Sequence, residues 1–561
     1  MSKTNSKLAA ALGTKAPKEN LVSANSVPKP DTTNLQGKPA YSQDIWLQLV
    51  SLLNTSKLEN QYYRSVTGTV QTLQKLIAQC AKEDLYLTCQ CIVYSRCLGE
   101  GMRTVNQAAA VFIAPYISGQ DYSKRFYGLW DKKGQKGGVV FRPDDMAEIL
   151  QGYAAINARP ETVTTKNSIT HKLAGPKLSN AMKKGFKTTL ESLDEYSLLK
   201  YKSSLIDVIN LVHPSSEKST AVSTLENGDT MKTIDAIMKG FPVKANTWET
   251  NQSEAGQLVA KAVKEGKISK TEAEEVLKEA KADNWAELLE TNKLGILAAI
   301  RNIRNILINK PTTQVIDMLC KLISDPVKIR EGKIFPYQLD VANEIMLTEF
   351  DNTHSRKISQ ALLAGYEAAI PNLKEYLPGT NLVMVDRSGS MGWQSIRLSG
   401  VKDKTGTITP VYKAALIAAT IAKATNADII YFGSNATYHK YNPNVDVFTL
   451  AKSLAKANQG RTYLAQAWIL AAVSGVKYDR VFILSDNEVN KGSTYTQYKS
   501  YMEKVEVPYV YSVDLCGYGT NSIAGDKVRY YYGYGLAMFD DIAKSEFNAY
   551  DHLEKIRKVV I

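Results

Sequence analysis

Two architectures in series are predicted: a long all-α region of irregular α-solenoid type, then a doubly wound α/β domain. Three observations predict them. From Tyr41 to Ala369 apolar residues recur at three- and four-residue steps, the period of helices with one buried face. Beyond Gly379 short apolar runs alternate with helical segments, the pattern of a mostly parallel sheet covered on both faces. Hydrophobic residues make up 44% and charged residues 22% of the 561 positions, so most of the chain can bury a core and wholesale disorder is excluded.

The elements follow in order. Residues 1–43 are rich in Lys, Asn, Ser, Thr and Pro, carry six Lys against Glu19 and Asp31, and read as a flexible basic arm. Ile45, Trp46, Leu49, Val50, Leu52 and Leu53 share the face of a first helix, and Leu73, Leu76, Ile77 and Cys80 that of a second. Leu85 to Leu98 reads as a buried helix. Further helices are expected at 104–117, 143–156, 177–193, 198–211, 230–238, 253–265, 269–280, 285–290, 294–308, 313–323, 336–347 and 358–369. Thr104, Asp194 and Ser269 are the expected N-caps, with Ser269 and Glu272 spaced as a capping box. Stacked helix pairs fit this series, and no fixed-period repeat is present.

In the last third, Asn381–Asp386, Asp428–Phe432, Arg480–Ser485 and Pro508–Asp514 read as strands. Residues 410–425, 464–474 and 494–505 read as helices, the first with Thr409 as N-cap and Pro410 at its first position. Asn435–His439 with Val445–Phe448 is expected as an edge hairpin, and 539–560 as a closing helical region. The domain division is then 1–43, 44–375 and 376–561.

Lys and Arg number 69 against 56 Asp and Glu, a formal charge of +13, which suits a polyanionic partner. The six cysteines form no C-x-x-C pair, and buried free thiols in a reducing compartment are expected. No signal peptide or run of about 18 apolar residues is visible, so a cytoplasmic protein without a membrane partner is expected. The five His are scattered and no G-x-x-x-x-G-K-[ST] loop occurs. No catalytic residues are assigned and no enzymatic activity is expected.

The strongest chemical constellation is Asp386-Arg387-Ser388-Gly389-Ser390, directly after an apolar strand. An Asp with two alternate hydroxyls offers hard oxygen ligands from one turn, which suits Mg²⁺. Gly460-Arg461-Thr462 precedes a helix and Asp486-Asn487-Glu488 follows a strand, so both loops end at the same sheet edge. This ordering resembles the von Willebrand factor A domain with its metal-ion-dependent adhesion site. The resemblance implies Asp386, Ser388, Ser390, Thr462 and Asp486 as ligands of a divalent cation. The stretch 391–409 departs from the pattern: it is long and carries Arg397, Lys402 and Lys404, which suit an anionic ligand.

The helical part carries Tyr62-Tyr63-Arg64-Ser65, Leu205-Ile-Asp-Val-Ile-Asn-Leu-Val-His213-Pro-Ser-Ser216 and Asn246-Thr247-Trp248-Glu249. Leu297-Ala-Ala-Ile-Arg-Asn302 and Lys333-Ile-Phe-Pro-Tyr337 follow. These segments, in this order and ahead of an A-like domain, resemble the TROVE domain of the Ro autoantigen family over residues 45–550. The resemblance implies a HEAT-like α-solenoid closed into a ring whose ends the A domain joins. It implies a ribonucleoprotein component that binds small non-coding (Y-like) RNA on the outer ring surface and single-stranded 3′ ends of misfolded RNA through the hole. It also implies a role in RNA quality control alongside an exoribonuclease partner. The alternative is a protein-interaction scaffold whose metal site captures an acidic protein ligand.

Between Arg159 and Lys202 there are nine basic residues against four acidic ones, a patch that phosphates attract irrespective of sequence. Lys183, Lys184 and Lys187 lie within one helical turn of each other, and Tyr196 and Tyr201 are the neighbouring candidates for stacking on bases. Lys200, Lys202 and His213 fall where the resemblance implies Y RNA contact, and they complete the expected RNA-binding set. Arg96 and Arg103 are the candidates for the hole.

Overall fold

The structure is a computed structural model. It describes residues 27–157, 162–164, 170–172, 178–225, 227–243, 248–309, 311–392, 395–397, 402–403, 408–455, 460–545 and 552–561. Most of the expected basic arm, together with Arg159, Lys166, Lys177 and Lys404, lies outside these residues. The chain forms two compact units, neither continuous in sequence. The helical unit takes residues 70–332, 341–366 and 556–561, and the α/β unit takes 1–69, 333–340 and 367–555.

In the helical unit, Leu85–Cys97 is buried on nearly every side, its polar Thr88, Gln90, Ser95 and Arg96 included. Asp84 caps it, accepting from the Leu87 amide at 2.8 Å. Asp194 likewise caps Glu195–Lys200, and Ser269 and Glu272 form the reciprocal capping box of Lys270–Glu290. The expected cap at Thr104 is corrected: Thr104 is the first helical residue of Thr104–Phe112 and Arg103 holds the cap position, where its donor-only guanidinium has no acceptor for the first amides and pairs instead with Asp144 and Asp145. Asp145, fully buried, accepts from Arg96 at 2.8 and 3.0 Å, from Gln107 at 2.9 Å and from the Phe141 and Arg142 amides at 3.0 Å. Arg96 is therefore a buried ion-pair partner, and Arg103 shares the same network. Burial removes Arg96 from its expected place in a hole, while Arg103 stays half-buried. Short hairpins pair Trp130–Asp131 with Lys136–Gly137 and Val222–Thr224 with Thr230–Lys232. Pieces this short carry no alternating pattern and escape sequence reading.

The α/β unit is built on a six-stranded sheet: β1 Asn381–Asp386, β2 Asp428–Phe432, β3 Ala436–Tyr438, β4 Arg480–Ser485, β5 Tyr509–Asp514 and β6 Val528–Tyr532. Their order is β3-β2-β1-β4-β5-β6, with every pairing parallel except β2 with β3. β1 and β4, at the centre, are buried along their whole length, as two covered faces demand. Side chains alternate between the faces. Leu382, Met384, Val481 and Ile483 join the cluster containing Trp468, Tyr498 and Tyr501 from helices Leu464–Ser474 and Thr494–Lys504. Helix Pro410–Thr425 packs against β1 and against helix Val447–Leu454.

Three expectations change here. Val445–Phe448 is no strand: Asp446 accepts from the Thr449 amide at 3.0 Å and starts the helix Val447–Leu454. β6 was not anticipated, because Val528-Arg-Tyr-Tyr-Tyr532 lacks alternation. Residues 27–69, assigned to the arm and the helical domain, belong instead with the α/β unit. Pro39–Ser42 pairs with Thr32–Thr33 on one side and with Thr520–Asn521 on the other.

Replacing Asp145 by Ala leaves Arg96 buried without its counter-charge. Such a loss costs about 3–5 kcal/mol. Hydrogen exchange of the amides of 96–107 and 141–150 will accelerate, while exchange of β1 and β4 stays at the parental rate.

Candidate metal centre and basic face

In a sheet ordered this way, the crevice lies beyond the carboxyl ends of the two strands where the winding reverses, here β1 and β4. Three loops meet there. Asp386, the last residue of β1, accepts from the Ser388 amide at 2.8 Å and from the Ser485 hydroxyl, at the end of β4, at 2.5 Å. The Ser388 and Ser390 hydroxyl oxygens lie 3.2 Å apart. The Gly389 amide donates to the Gly460 carbonyl at 2.8 Å and ties the first loop to the second. The Thr462 amide donates to the Asn490 side chain at 3.0 Å, and the Asn490 amide returns a bond to the Thr462 carbonyl at 3.1 Å, tying the second loop to the third. Asp386, Ser388, Ser390, Thr462 and Asp486 are all buried. The fold thus brings all five expected residues to one sheet edge.

The electrostatics of this edge are uncompensated. Burial pushes the Asp386 carboxyl up from its ordinary value, with the Ser485 and Ser388 hydroxyls opposing the shift. Burial and then the charge of Asp386 push Asp486 up, with Ser390 opposing. Asp486 accepts from the Glu488 amide at 3.0 Å through one oxygen, and its other oxygen has no hydrogen bond. The Thr462 hydroxyl is likewise buried without a partner. Two unsatisfied hard oxygens beside two desolvated carboxylates fit a small divalent cation, which neutralises the pair and takes hydroxyl ligands. No group of three or more His, Cys, Asp or Glu side chains fit to hold a metal is found among the described residues, so the donor set is two carboxylates plus hydroxyls. The six cysteines are free and buried.

Three residues at this edge escaped the sequence reading of the site. Ionisation of the Tyr63 hydroxyl is opposed by burial and by the charges of Asp486 and Glu488, with Ser390 favouring it. Arg64 donates to the Gly517 and Tyr518 carbonyls at 3.0 and 3.1 Å, anchoring the Tyr62–Ser65 segment to the loop after β5. Asp514, at the end of β5, accepts from the Cys516 and Gly517 amides at 2.9 Å and from Ser51 at 3.0 Å. The Tyr62-Tyr63-Arg64-Ser65 motif was visible; its place at the metal edge was not. Glu488 is fully buried and neither of its oxygens makes a well-formed hydrogen bond; burial and the charge of Asp486 push it up to about 8.

The basic residues gather on the helical unit. Helix Asn180–Ser192 buries Ala181, Met182, Gly185, Phe186, Thr189 and Leu190, turns Lys183 and Lys184 outward and leaves Lys187 half-buried. Like charges at three- and four-residue spacing repel by about 0.2–0.5 kcal/mol per pair, so this face gains from an anion. Lys200 is exposed, its ammonium 5.3 Å from the Tyr196 ring centre and 5.9 Å from that of Tyr201. Arg142 lies 5.7 Å from the Tyr201 ring, so both tyrosine faces already meet cations. Lys202 is half-buried at the start of helix Lys202–Val212. His213 ends that helix in the left-handed conformation at φ 48°, its amide donating to the Ile209 carbonyl, while its ring is exposed. Its backbone is a helix stop, and its ring is left for a ligand. Arg397 and Lys402 are in short strands whose side chains lie outside the described residues.

Residues 158–362 match the family model of the TROVE domain, a stretch that contains the whole basic face. The matched segment makes up less than half of the chain and is similar to the TROVE domain. The crystal structure of the Ro (RSR) protein of Deinococcus radiodurans shares its fold, with a TM-score of 0.53 at 15% identity over 90% of this chain and all of that one. None of the curated proteins compared matches the chain in sequence. The metal edge lies outside the TROVE match, so its five residues rest on geometry alone. No helix among the described residues is long and apolar enough to cross a membrane.

A carboxyl raised by folding stabilises the folded state below its ordinary value and loses that contribution as pH rises through the raised one. Glu488 spans the window from 4.5 to about 8. In EDTA, Glu488→Gln will therefore melt above the parent at pH 8, and the difference will shrink as the pH falls towards 4.5.

Proposed function

We propose that this chain is a member of the Ro autoantigen family and a non-catalytic RNA-binding component of a ribonucleoprotein. TROVE membership supports RNA binding, and the observation that carries the assignment of the surface is the outward cationic face of Asn180–Ser192 inside the matched segment. Lys183, Lys184 and Lys187 attract phosphates by counterion release, Lys200 and Lys202 extend the patch, and His213 presents a ring at its edge. The finer reading keeps what the family resemblance implies. Small Y-like RNA docks on the outer surface of a helical ring, and 3′ ends of misfolded RNA enter its hole. Degradation is supplied by a partner exoribonuclease in the cytoplasm.

In this reading the α/β unit is a von Willebrand factor A-like module with a metal-ion-dependent adhesion site. Asp386, Ser388, Ser390, Thr462 and Asp486 hold a divalent cation, Mg²⁺ by the chemistry of the oxygens. The unpartnered Thr462 hydroxyl and Asp486 oxygen favour this assignment. When bound, the ion supplies counter-charge to two buried carboxylates and ties three loops together. An open coordination position then offers an acidic protein partner a place to dock.

Structured RNA with a free 3′ tail, titrated at several salt concentrations, will bind less tightly as salt rises. Replacing Lys183, Lys184 and Lys187 together by Ala will weaken binding and reduce the slope of log affinity against log salt by about three. An unchanged slope removes the patch from the interface. Mg²⁺ at about a hundred times its dissociation constant will raise stability by about 2.7 kcal/mol. In Asp386→Ala that thermal shift will vanish, and a shift that survives unseats the metal assignment.

A further inference from the structure

A small three-stranded sheet in the α/β unit joins Thr32–Thr33, Pro39–Ser42 and Thr520–Asn521. It carries none of the five metal-edge residues, yet it grips the loop that carries Asp486 at two points. The Asn34 side chain, in the turn between the first two strands, donates to the Val489 carbonyl at 2.8 Å. The Ser522 hydroxyl, just past the third strand, donates to the Asn487 side-chain oxygen at 2.9 Å. These bonds span 455 and 35 positions of sequence, so no local pattern announces them.

The loop depends on outside holders, because residues 486–490 are neither helix nor strand. Asn487 stands in the left-handed region at φ 63°, which Asn tolerates better than most side chains. Two ties come from the metal edge itself: the Asn487 amide donates to the Ser485 hydroxyl at 3.0 Å, and Asn490 exchanges bonds with Thr462. The other two, at Asn487 and Val489, come from the small sheet and bracket Glu488. The small sheet acts as one body. Pro39–Ser42 pairs with both other strands, and Gln43 donates to the Asn521 side chain at 2.8 Å. Asn34 works at both ends: its oxygen accepts from the Gln36 and Lys38 amides at 3.1 and 3.0 Å and shapes the turn, while its nitrogen reaches the loop. Asn34, Asn487 and Ser522 are all buried, so water does not replace a bond that is lost.

We propose that the small sheet is a positioning clamp for the metal site. Through Asn34 and Ser522 it holds the third loop in the one conformation that offers the unpartnered Asp486 oxygen to a cation. Asn34 and Ser522 are positioning residues that act through the loop. The inference rests on the metal reading given above and adds its control: cation binding and docking of the clamp are coupled. Such coupling is reciprocal, so a docked clamp that tightens the cation is itself tightened by the cation, by the same factor. A sheet that served folding alone would shift the melting temperature and leave the cation's affinity where it was.

The test uses the full chain, with Mg²⁺ as the probe and its dissociation constant read by calorimetry. Asn34→Ala and Ser522→Ala will each weaken Mg²⁺ binding about fivefold or more. Tyr438→Phe is the control for general loosening: it removes hydroxyl contacts with Ser474 and Tyr478 on the edge strand of the large sheet. It will melt below the parent and keep the parental dissociation constant. The reciprocal measurement needs no clamp variant and decides the matter where one fails to fold. Saturating Mg²⁺ will slow hydrogen exchange of the amides of 34–42 in the parent about fivefold or more, while those of the edge strand Ala436–Tyr438 keep their rate. In Asp386→Ala neither set will respond. Dissociation constants unchanged in both clamp variants, an equal loss in Tyr438→Phe, or exchange of 34–42 that ignores Mg²⁺ in a parent that binds it overturns the clamp and leaves the metal site standing. A parent that binds no Mg²⁺ overturns the metal reading, and the clamp with it.

Discussion

Two carboxylates, Asp386 and Asp486, are buried within each other's field at the carboxyl edge of the six-stranded sheet, and everything proposed for the α/β unit depends on what balances them. Backbone amides and serine hydroxyls carry part of the load, one bond at a time. They leave one Asp486 oxygen and the Thr462 hydroxyl unmet. Burial of a charge without a counter-charge is among the largest single penalties a fold can hold, and proteins keep such a site where a cation is to be bound. The strand order explains the location. Only at the reversal between β1 and β4 do loops from both halves of the sheet open into the same crevice.

The helical unit handles charge in two opposite ways. Asp145 is buried and satisfied by two arginines, a glutamine and two amides, so its charge serves packing and offers nothing to a ligand. Lys183, Lys184 and Lys187 are carried on a helix whose other face is anchored by Phe186 and Leu190, and they repel one another, with Glu191 the one acidic residue on that helix. The first arrangement is self-sufficient, and the second is incomplete until an anion arrives. Arginine content alone does not mark a nucleic-acid surface: Arg96 and Arg103 are consumed internally.

What the chain dictated by itself is whatever depends on neighbours in sequence. Helical periodicity from Ile45 onward, the caps at Asp194 and Ser269, and the buried strands at 381–386 and 480–485 all follow from local spacing. That Asp386, Ser388, Ser390, Thr462 and Asp486 meet at one sheet edge was also legible, because each loop follows or precedes a recognisable element. Tertiary structure decided what rests on distant contacts. It drew residues 27–69 into the α/β unit, since two- and four-residue strands have no identity until Thr520–Asn521 pairs with them. It turned Val445–Phe448 into a helix start, where a cap from Asp446 outweighs a short apolar run. It brought Tyr63 to Ser390 and closed Gly185 onto the 124–127 backbone, because a hydroxyl's partner and a glycine's neighbour are properties of the packed chain alone.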